Sequence, residues 1–270
     1  MFVFEIMAIE IEYKYGIDTY VESIFVLRQQ IEQRFQMHSH KKAQLLLITG
    51  GLAILQTKEK DYYIPINHFI WIPKNFFHNL KFTANNLELI NIYFPDEDHY
   101  RSPFYAELGI YPVSSLLTEM LKFTKDWQGH YFKGAWEYEF MSALKHMLPH
   151  EELPSFNLQL PTTENHKVSP ILEFIWNNLH EPLTLHHTSR AFALSERSLT
   201  RLFKDILGIS VIQYVKMARI IKALHLLADT QLNISSISYS VGFSNNSAFS
   251  VAFKQLTNLS PSEYRLMVIK

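Results

Sequence analysis

Three histidines and one amide stand at spacings that let them converge. His38 and His40 flank a serine, Gln44 follows, and His78 closes the run Pro73-Lys74-Asn75-Phe76-Phe77-His78. Alternate residues of a strand share a face, so His38, His40 and Gln44 point the same way. His78 joins them if the sheet folds over. Three imidazoles with an amide oxygen suit divalent zinc, nickel or iron. The same residues also suit a metal-free pocket, whose histidines bond one another, the backbone or an organic ligand. On the residues alone both readings stand. No cysteine is present, which excludes disulfides, thiol redox sensing, cysteine nucleophiles and thiolate zinc sites.

A second set of chemistry-bearing residues lies on two helix faces. Within 196–207, Leu199, Leu202, Phe203 and Ile206 form an apolar stripe, leaving Arg197, Thr200, Arg201 and Lys204 outside. Within 246–257 the stripe is Ala248, Phe249, Ala252 and Phe253. Asn246, Ser247, Ser250 and Lys254 remain outside, with Asn245 just ahead. Arg, Asn, Ser and Thr suit base edges, and Lys suits phosphate. A solvated face explains either helix alone. Two such faces in matched copies favour nucleic acid.

The copies are legible in the sequence. Leu183, Ser195, Phe203, Ser210 and Tyr214 recur as Leu232, Ser244, Phe253, Ser260 and Tyr264. The offset grows by one residue after the serine, so an insertion sits at the turn. Thr184 and Ser195 are N-cap candidates and Gly208 a helix stop. Each copy reads as helix, short turn, helix. Between them, 211–228 predicts one helix of about 27 Å at 1.5 Å per residue. That length places both outer helices on one side of B-DNA, whose major-groove turns recur about every 34 Å.

The elements ahead of this region are of another kind. Residues 45–48, 52–55, 62–66, 69–72 and 87–94 are short apolar or alternating runs. Turn residues separate them, among them 49–51, 73–75 and 84–86, which predicts a small sandwich or barrel. Helical spacing follows over 114–126 and 136–148. The stretch 149–170 holds four prolines and reads as a linker. The fold class is therefore α+β in two domains: a β-barrel with following helices, then an all-α part. The expected boundaries are 1–98, 99–150 (helical, for subunit pairing), 151–167 (linker) and 168–267.

A net charge of −1 hides an asymmetry. Residues 168–270 hold 10 Lys+Arg and 6 Asp+Glu, so +4, and the remainder 15 and 20, so −5. A mildly basic second part is compatible with phosphate contact. The start carries Glu5, Glu10 and Glu12 and no early basic residue, so no signal peptide is expected. No apolar run reaches membrane-span length. The expectation is a cytoplasmic protein without membrane contact.

Over about 100 residues the second part resembles the double helix-turn-helix domain of AraC/XylS-type transcription regulators. The matching runs are Leu-Ser-Glu-Arg-Ser-Leu-Thr-Arg-Leu-Phe-Lys (194–204), Leu-Gly-Ile-Ser (207–210) and Ala-Arg-Ile-Ile-Lys-Ala-Leu-His-Leu-Leu (218–227). Val-Gly-Phe-Ser (241–244), Ala-Phe-Ser-Val-Ala-Phe-Lys (248–254) and Ser-Pro-Ser-Glu-Tyr-Arg (260–265) continue the match. The resemblance implies base contacts at Arg197, Thr200 and Arg201, and at Asn246, Ser247, Ser250 and Val251. A basic residue is common at the last position; Val251 departs from it, which implies weaker reading or contact with thymine methyls.

The histidine runs resemble the two motifs of a cupin barrel, where two His, a Glu and a later His hold a divalent metal. Gln44 stands in place of that Glu, and Asn67 and Asn75 replace glycines of the second motif. His-Ser-His-Lys-Lys-Ala-Gln-Leu and Phe-Ile-Trp-Ile-Pro resemble a subgroup of AraC-type regulators with cupin-like sensors, in which Gln here is usual. Some of that subgroup control neighbouring transport or efflux genes.

These readings imply a non-enzymatic regulator of promoter DNA, acting as activator or repressor on a small-molecule or metal signal. It is expected to be a homodimer, and to meet RNA polymerase if it activates. The rival is a metal-dependent cupin oxygenase or isomerase with a DNA-binding tail. A repair protein with a methyl-accepting cysteine is excluded by composition, and a constitutive DNA-bending protein is a further alternative. The aromatics Trp127, Tyr131, Phe132, Trp136 and Tyr138 read as a partner face or a satellite core.

Overall fold

A computed structural model describes residues 16–30, 37–49, 53–65, 67–82, 88–95, 102–151, 155–156 and 158–268. The N-terminal stretch 1–15, the turns at 50–51 and 84–86 and part of the expected linker lie outside them. The strands are β1 (Ile24–Gln30), β2 (Ala43–Thr49), β3 (Ala53–Gln56), β4 (Lys60–Ile64), β5 (His68–Ile72), β6 (Asn79–Phe82), β7 (Glu88–Phe94), β8 (Gly109–Pro112), β9 (Gly129–Tyr131) and β10 (Gln159–Pro161). The helices are α1 (Pro103–Ala106), α2 (Ser115–Phe123), α3 (Trp136–Met147), α4 (Ser169–Asn177), α5 (Leu185–Ala191), α6 (Glu196–Leu207), α7 (Val211–Asp229), α8 (Ile234–Ser240), α9 (Asn246–Thr257) and α10 (Pro261–Val268). The chain divides into two compact units.

In the first unit a six-stranded sheet runs β8-β5-β2-β7-β1-β9, with antiparallel pairs throughout. Period-two alternation gives the sheet two unlike faces. Ala43, Leu45, Leu47, Phe69, Trp71, Ile90, Ile92 and Phe94 pack against Leu117 and Leu121 of α2 and Tyr138, Met141 and Leu144 of α3. The indole of Trp71 donates to the Tyr105 carbonyl at 3.2 Å. Truncating a fully buried leucine here, such as Leu144, would cost about 2–5 kcal/mol. The opposite parity of β2 and β7 carries Gln44 and Asn91, both buried. Segment 99–150, expected to be helical, also supplies β8 and β9 to this sheet. Those strands are too short to show an alternation in the sequence.

The second unit holds the helices from α4 onward, with an arm of strands in the order β10-β4-β3. The hairpin β3–β4 lies in the stretch read as barrel, and β10 in the stretch read as linker. Burial explains their grouping. Tyr63, Leu158 and Leu160 are buried, the Tyr63 amide donates to the Leu158 carbonyl at 2.9 Å, and β10 packs on α7. Helix α7 is apolar on most of its circumference, with Val211, Tyr214, Val215, Ala218, Ile220, Ile221, Ala223, Leu224 and Leu227 buried. Such a helix must be central rather than amphipathic. No helix of the described residues is long and apolar enough to cross a membrane.

Candidate nucleic-acid interface and histidine cluster

Helix α6 begins at Ser195, whose hydroxyl accepts from the Ser198 amide at 3.1 Å, and stops at Gly208 in the left-handed region. Its buried stripe is Leu199, Phe203 and Leu207, with Leu202 and Ile206 half-buried. Arg197, Thr200, Arg201 and Lys204 are all exposed. The Thr200 hydroxyl donates to the Glu196 carbonyl at 2.8 Å, and Lys204 reaches the Gly208 carbonyl at 3.4 Å. Both guanidinium groups lie on the solvent face of one rigid helix.

Helix α9 repeats the plan with different chemistry. Asn246, Ser247, Val251 and Lys254 are exposed and Ser250 is half-buried. Asn245, expected as a DNA contact, is the N-cap: its Oδ1 accepts from the Ala248 amide at 2.8 Å. The Asn246 amide donates to the Ser235 hydroxyl of α8 at 2.9 Å. Ala248, expected inside, is exposed; it sits in the first turn, before the buried stripe starts at Phe249. Val251 is 57% exposed, so its methyl groups face whatever approaches this helix.

One residue that sequence reasoning left unassigned ties the central helix to its surroundings. Arg219 of α7 donates from Nε to the Leu179 carbonyl at 3.0 Å and from Nη2 to the Glu181 carbonyl at 2.7 Å. Its guanidinium lies over the Phe243 ring, at the α8–α9 turn. Helix α7 is thereby fixed to the loop just ahead of the first copy and to the turn of the second. A lone arginine in an otherwise apolar helix run was the available signal.

In the first unit His38, His40 and His78 come together. His38 and His78 form an antiparallel bridge, with backbone bonds of 2.9 and 2.8 Å. Potential ligand atoms of all three rings lie within 4.8 Å of one another. The sheet does fold His78 back onto the first motif. Asn67 and Asn75, at the glycine positions of the resemblance, both adopt φ of 58°, a conformation that asparagine tolerates.

The ring tautomers follow from the backbone. His40 Nδ1 lies 2.6 Å from the Lys42 carbonyl and His78 Nδ1 lies 2.8 Å from the Phe76 carbonyl, so each Nδ1 carries the proton and donates. Both Nε2 atoms then present lone pairs. His40 Nε2 lies 3.0 Å from Gln44 Oε1, while the Gln44 amide nitrogen donates to Asn91 Oδ1 at 2.6 Å. Asn91 escaped the sequence reading, although a polar residue inside Leu89-Ile90-Asn91-Ile92-Tyr93 marked it. His78 Nε2 is buried with no hydrogen-bond partner. Burial, then the charge of His38, pushes the His78 imidazole down to about 3. Burial also lowers His40, against its bonds to Lys42 and Gln44. Both rings are therefore neutral at physiological pH.

The predicted aromatic face divides. Tyr138 is buried core, Trp127 and Tyr131 pack on that core, and Phe132 and Trp136 are exposed together with Phe123. His186 and His187 are exposed on α5, as a surface reading expects.

Comparison with known proteins agrees with both parts. Residues 23–99 match the AraC-like ligand binding domain, and residues 188–267 match a helix-turn-helix domain. The chain is 23% identical over 261 residues to an uncharacterized HTH-type transcriptional regulator, YdeC of Bacillus subtilis, covering 89% of each. It is 24% identical over 262 residues to the HTH-type transcriptional activator RhaR of Cronobacter sakazakii, covering 92% of each. The structure of ToxT from Vibrio cholerae aligns over 92% of this chain and 98% of that one, at 15% identity and a TM-score of 0.39.

Proposed function

This chain belongs to the AraC type of transcription regulator, and from that premise we propose how it works: α6 and α9 read promoter DNA in adjacent turns of the major groove, and the sheet face of the first unit that carries Gln44 and Asn91 takes the signal. It is a regulator with a ligand-binding and a DNA-binding domain, not an enzyme; its relatives carry names of regulators and activators. The observation that carries the reading is the pairing of two capped reading helices, each with its polar face bare, around one buried helix. Helix α7 spans roughly 28 Å at 1.5 Å per residue, within reach of the major-groove repeat of about 34 Å.

The working form is a cytoplasmic homodimer. Phe123, Trp136 and Phe132, exposed beside α2 and α3, are the surface we assign to the second copy. As an activator the protein would also touch RNA polymerase. A signal shifts the equilibrium between paired arrangements only by as much as it binds one better than the other. The test is Arg201→Ala, measured on a selected operator and on random duplex. A bidentate guanine contact predicts a loss of about 1–3 kcal/mol on the operator, with specificity relaxed at one base. Equal loss on both duplexes would refute base reading.

A further inference from the structure

The histidine cluster holds a buried acceptor that no hydrogen bond among the described residues satisfies. His40 Nε2 and the Gln44 side-chain amide are buried beside it and 3.0 Å apart. His78 is 0% exposed, and its Nε2 has no hydrogen-bond partner. A buried acceptor left in this state costs about 1–3 kcal/mol. Its lone pair belongs to the same cluster as the potential ligand atoms of His38 and His40.

We propose that this cluster is a divalent transition-metal site, with His38, His40 Nε2, His78 Nε2 and the Gln44 amide oxygen as its donors. One cation gives the orphaned His78 Nε2 a partner and takes the neighbouring ring nitrogens and amide oxygen as its other ligands. The Nδ1–H bonds of His40 and His78 to the Lys42 and Phe76 carbonyls are the outer contacts that metal-binding histidines ordinarily make, fixing tautomer and ring direction. The Gln44 bond to Asn91 orients the amide in the same way. Imidazole donors select zinc, nickel, iron or copper over magnesium and calcium, which need oxygen ligands. None of the four donors is anionic, so the bound ion keeps its full charge. Its remaining positions attract water or an anionic small molecule. As the input of the regulator, this site rests on the reading of the Gln44–Asn91 sheet face as the signal-binding part.

The experiment uses the full chain without an affinity tag, stripped with chelator and titrated with Co²⁺, then Zn²⁺. Visible absorption and elemental analysis are the readouts. A single ion per chain is expected, with Co²⁺ bands of a nitrogen-rich site. His78→Ala should weaken binding by roughly 10–100-fold or more, at least the loss seen for outer-shell changes. Gln44→Glu should tighten it by adding a charged donor. His146→Ala, outside the cluster, should bind as the parent does. The gain in Gln44→Glu is informative even if His78→Ala fails to fold. A parent that retains no ion, or variants that all bind alike, would overturn the site. Operator binding is measured on the same samples. Lost metal with intact operator binding defeats this inference alone, and bound metal with no operator binding defeats the regulator reading alone.

Discussion

Between its two helices the first copy turns at Ala193, with φ of 51°, and the second at Gly242, with φ of 90°. The turns are otherwise alike. The Leu194 amide donates to the Ser189 carbonyl at 2.9 Å, and the Phe243 amide to the Ser238 carbonyl at 3.1 Å. Ser189 and Ser238 are both buried. Each reading helix is capped by a short polar side chain and ends in the left-handed region, at Gly208 and at Asn258. The scaffold is conserved between the copies while the solvent faces diverge: two guanidiniums on α6, and asparagine, serine and a bare valine on α9. Duplication supplies the geometry twice, and the surface residues decide how strongly each copy reads.

The largest test of that comparison is at the turns. A Cβ on Gly242 would lie 2.2 Å from the Leu179 carbonyl oxygen and 2.7 Å from the Arg219 guanidinium. Gly242→Ala should therefore destabilise the helical unit by about 3 kcal/mol or more, from clash and positive φ together. Thermal denaturation followed by circular dichroism measures it; an unchanged midpoint would mean the second copy is held less tightly than its contacts indicate.

On the reading faces, Arg201→Ala should cost about 1–3 kcal/mol of operator affinity. Val251→Ala removes only two methyl groups, and its loss should be smaller, about 1 kcal/mol, and confined to sites with thymine at one position. Fluorescence anisotropy on paired operators separates the two, and equal losses would erase the asymmetry between copies.

The helix between the copies has its own pH signature. Burial, then the charge of Lys222, holds the His225 imidazole down to about 4, below its ordinary 6.5. Below pH 6.5 the unfolded chain takes up a proton that the folded one refuses. Stability is thus complete above pH 6.5 and falls towards pH 4, by up to about 1.4 kcal/mol per pH unit. His225→Leu should flatten denaturant midpoints across that window. The smallest effect is expected of Ala193→Gly, which relieves a positive φ and frees the unfolded chain; a net change within about 1 kcal/mol follows.

Helix α6 was legible to the residue, because an N-cap, a stop and a 3.6-residue stripe coincide there; the span of α9 was legible from its stripe, while its cap Asn245 reads in the sequence as a DNA contact and Ala248 as buried. Strands β2 and β5 were legible from apolar runs. Strands β1, β6, β8, β9 and β10 were not: their residues are mixed in polarity and are set by pairing partners distant in sequence. The grouping of β3 and β4 with the helices was likewise hidden, since a hairpin's alternation does not say what covers its face. In the cluster, His38, His40 and His78 were readable from the strand period and the turn. The tautomers, Asn91 and the orphaned Nε2 depend on backbone carbonyls that no side-chain pattern encodes.

The most direct measurement of unequal reading by two equal scaffolds is selection of binding sites from a random duplex pool by the intact protein, followed by sequencing. The account predicts two blocks about 10–10.5 base pairs apart, centre to centre. The block read by α6 should be sharply restricted and contain guanine, and the block read by α9 should be looser and richer in thymine. One block alone, or two blocks of equal sharpness, would contradict it.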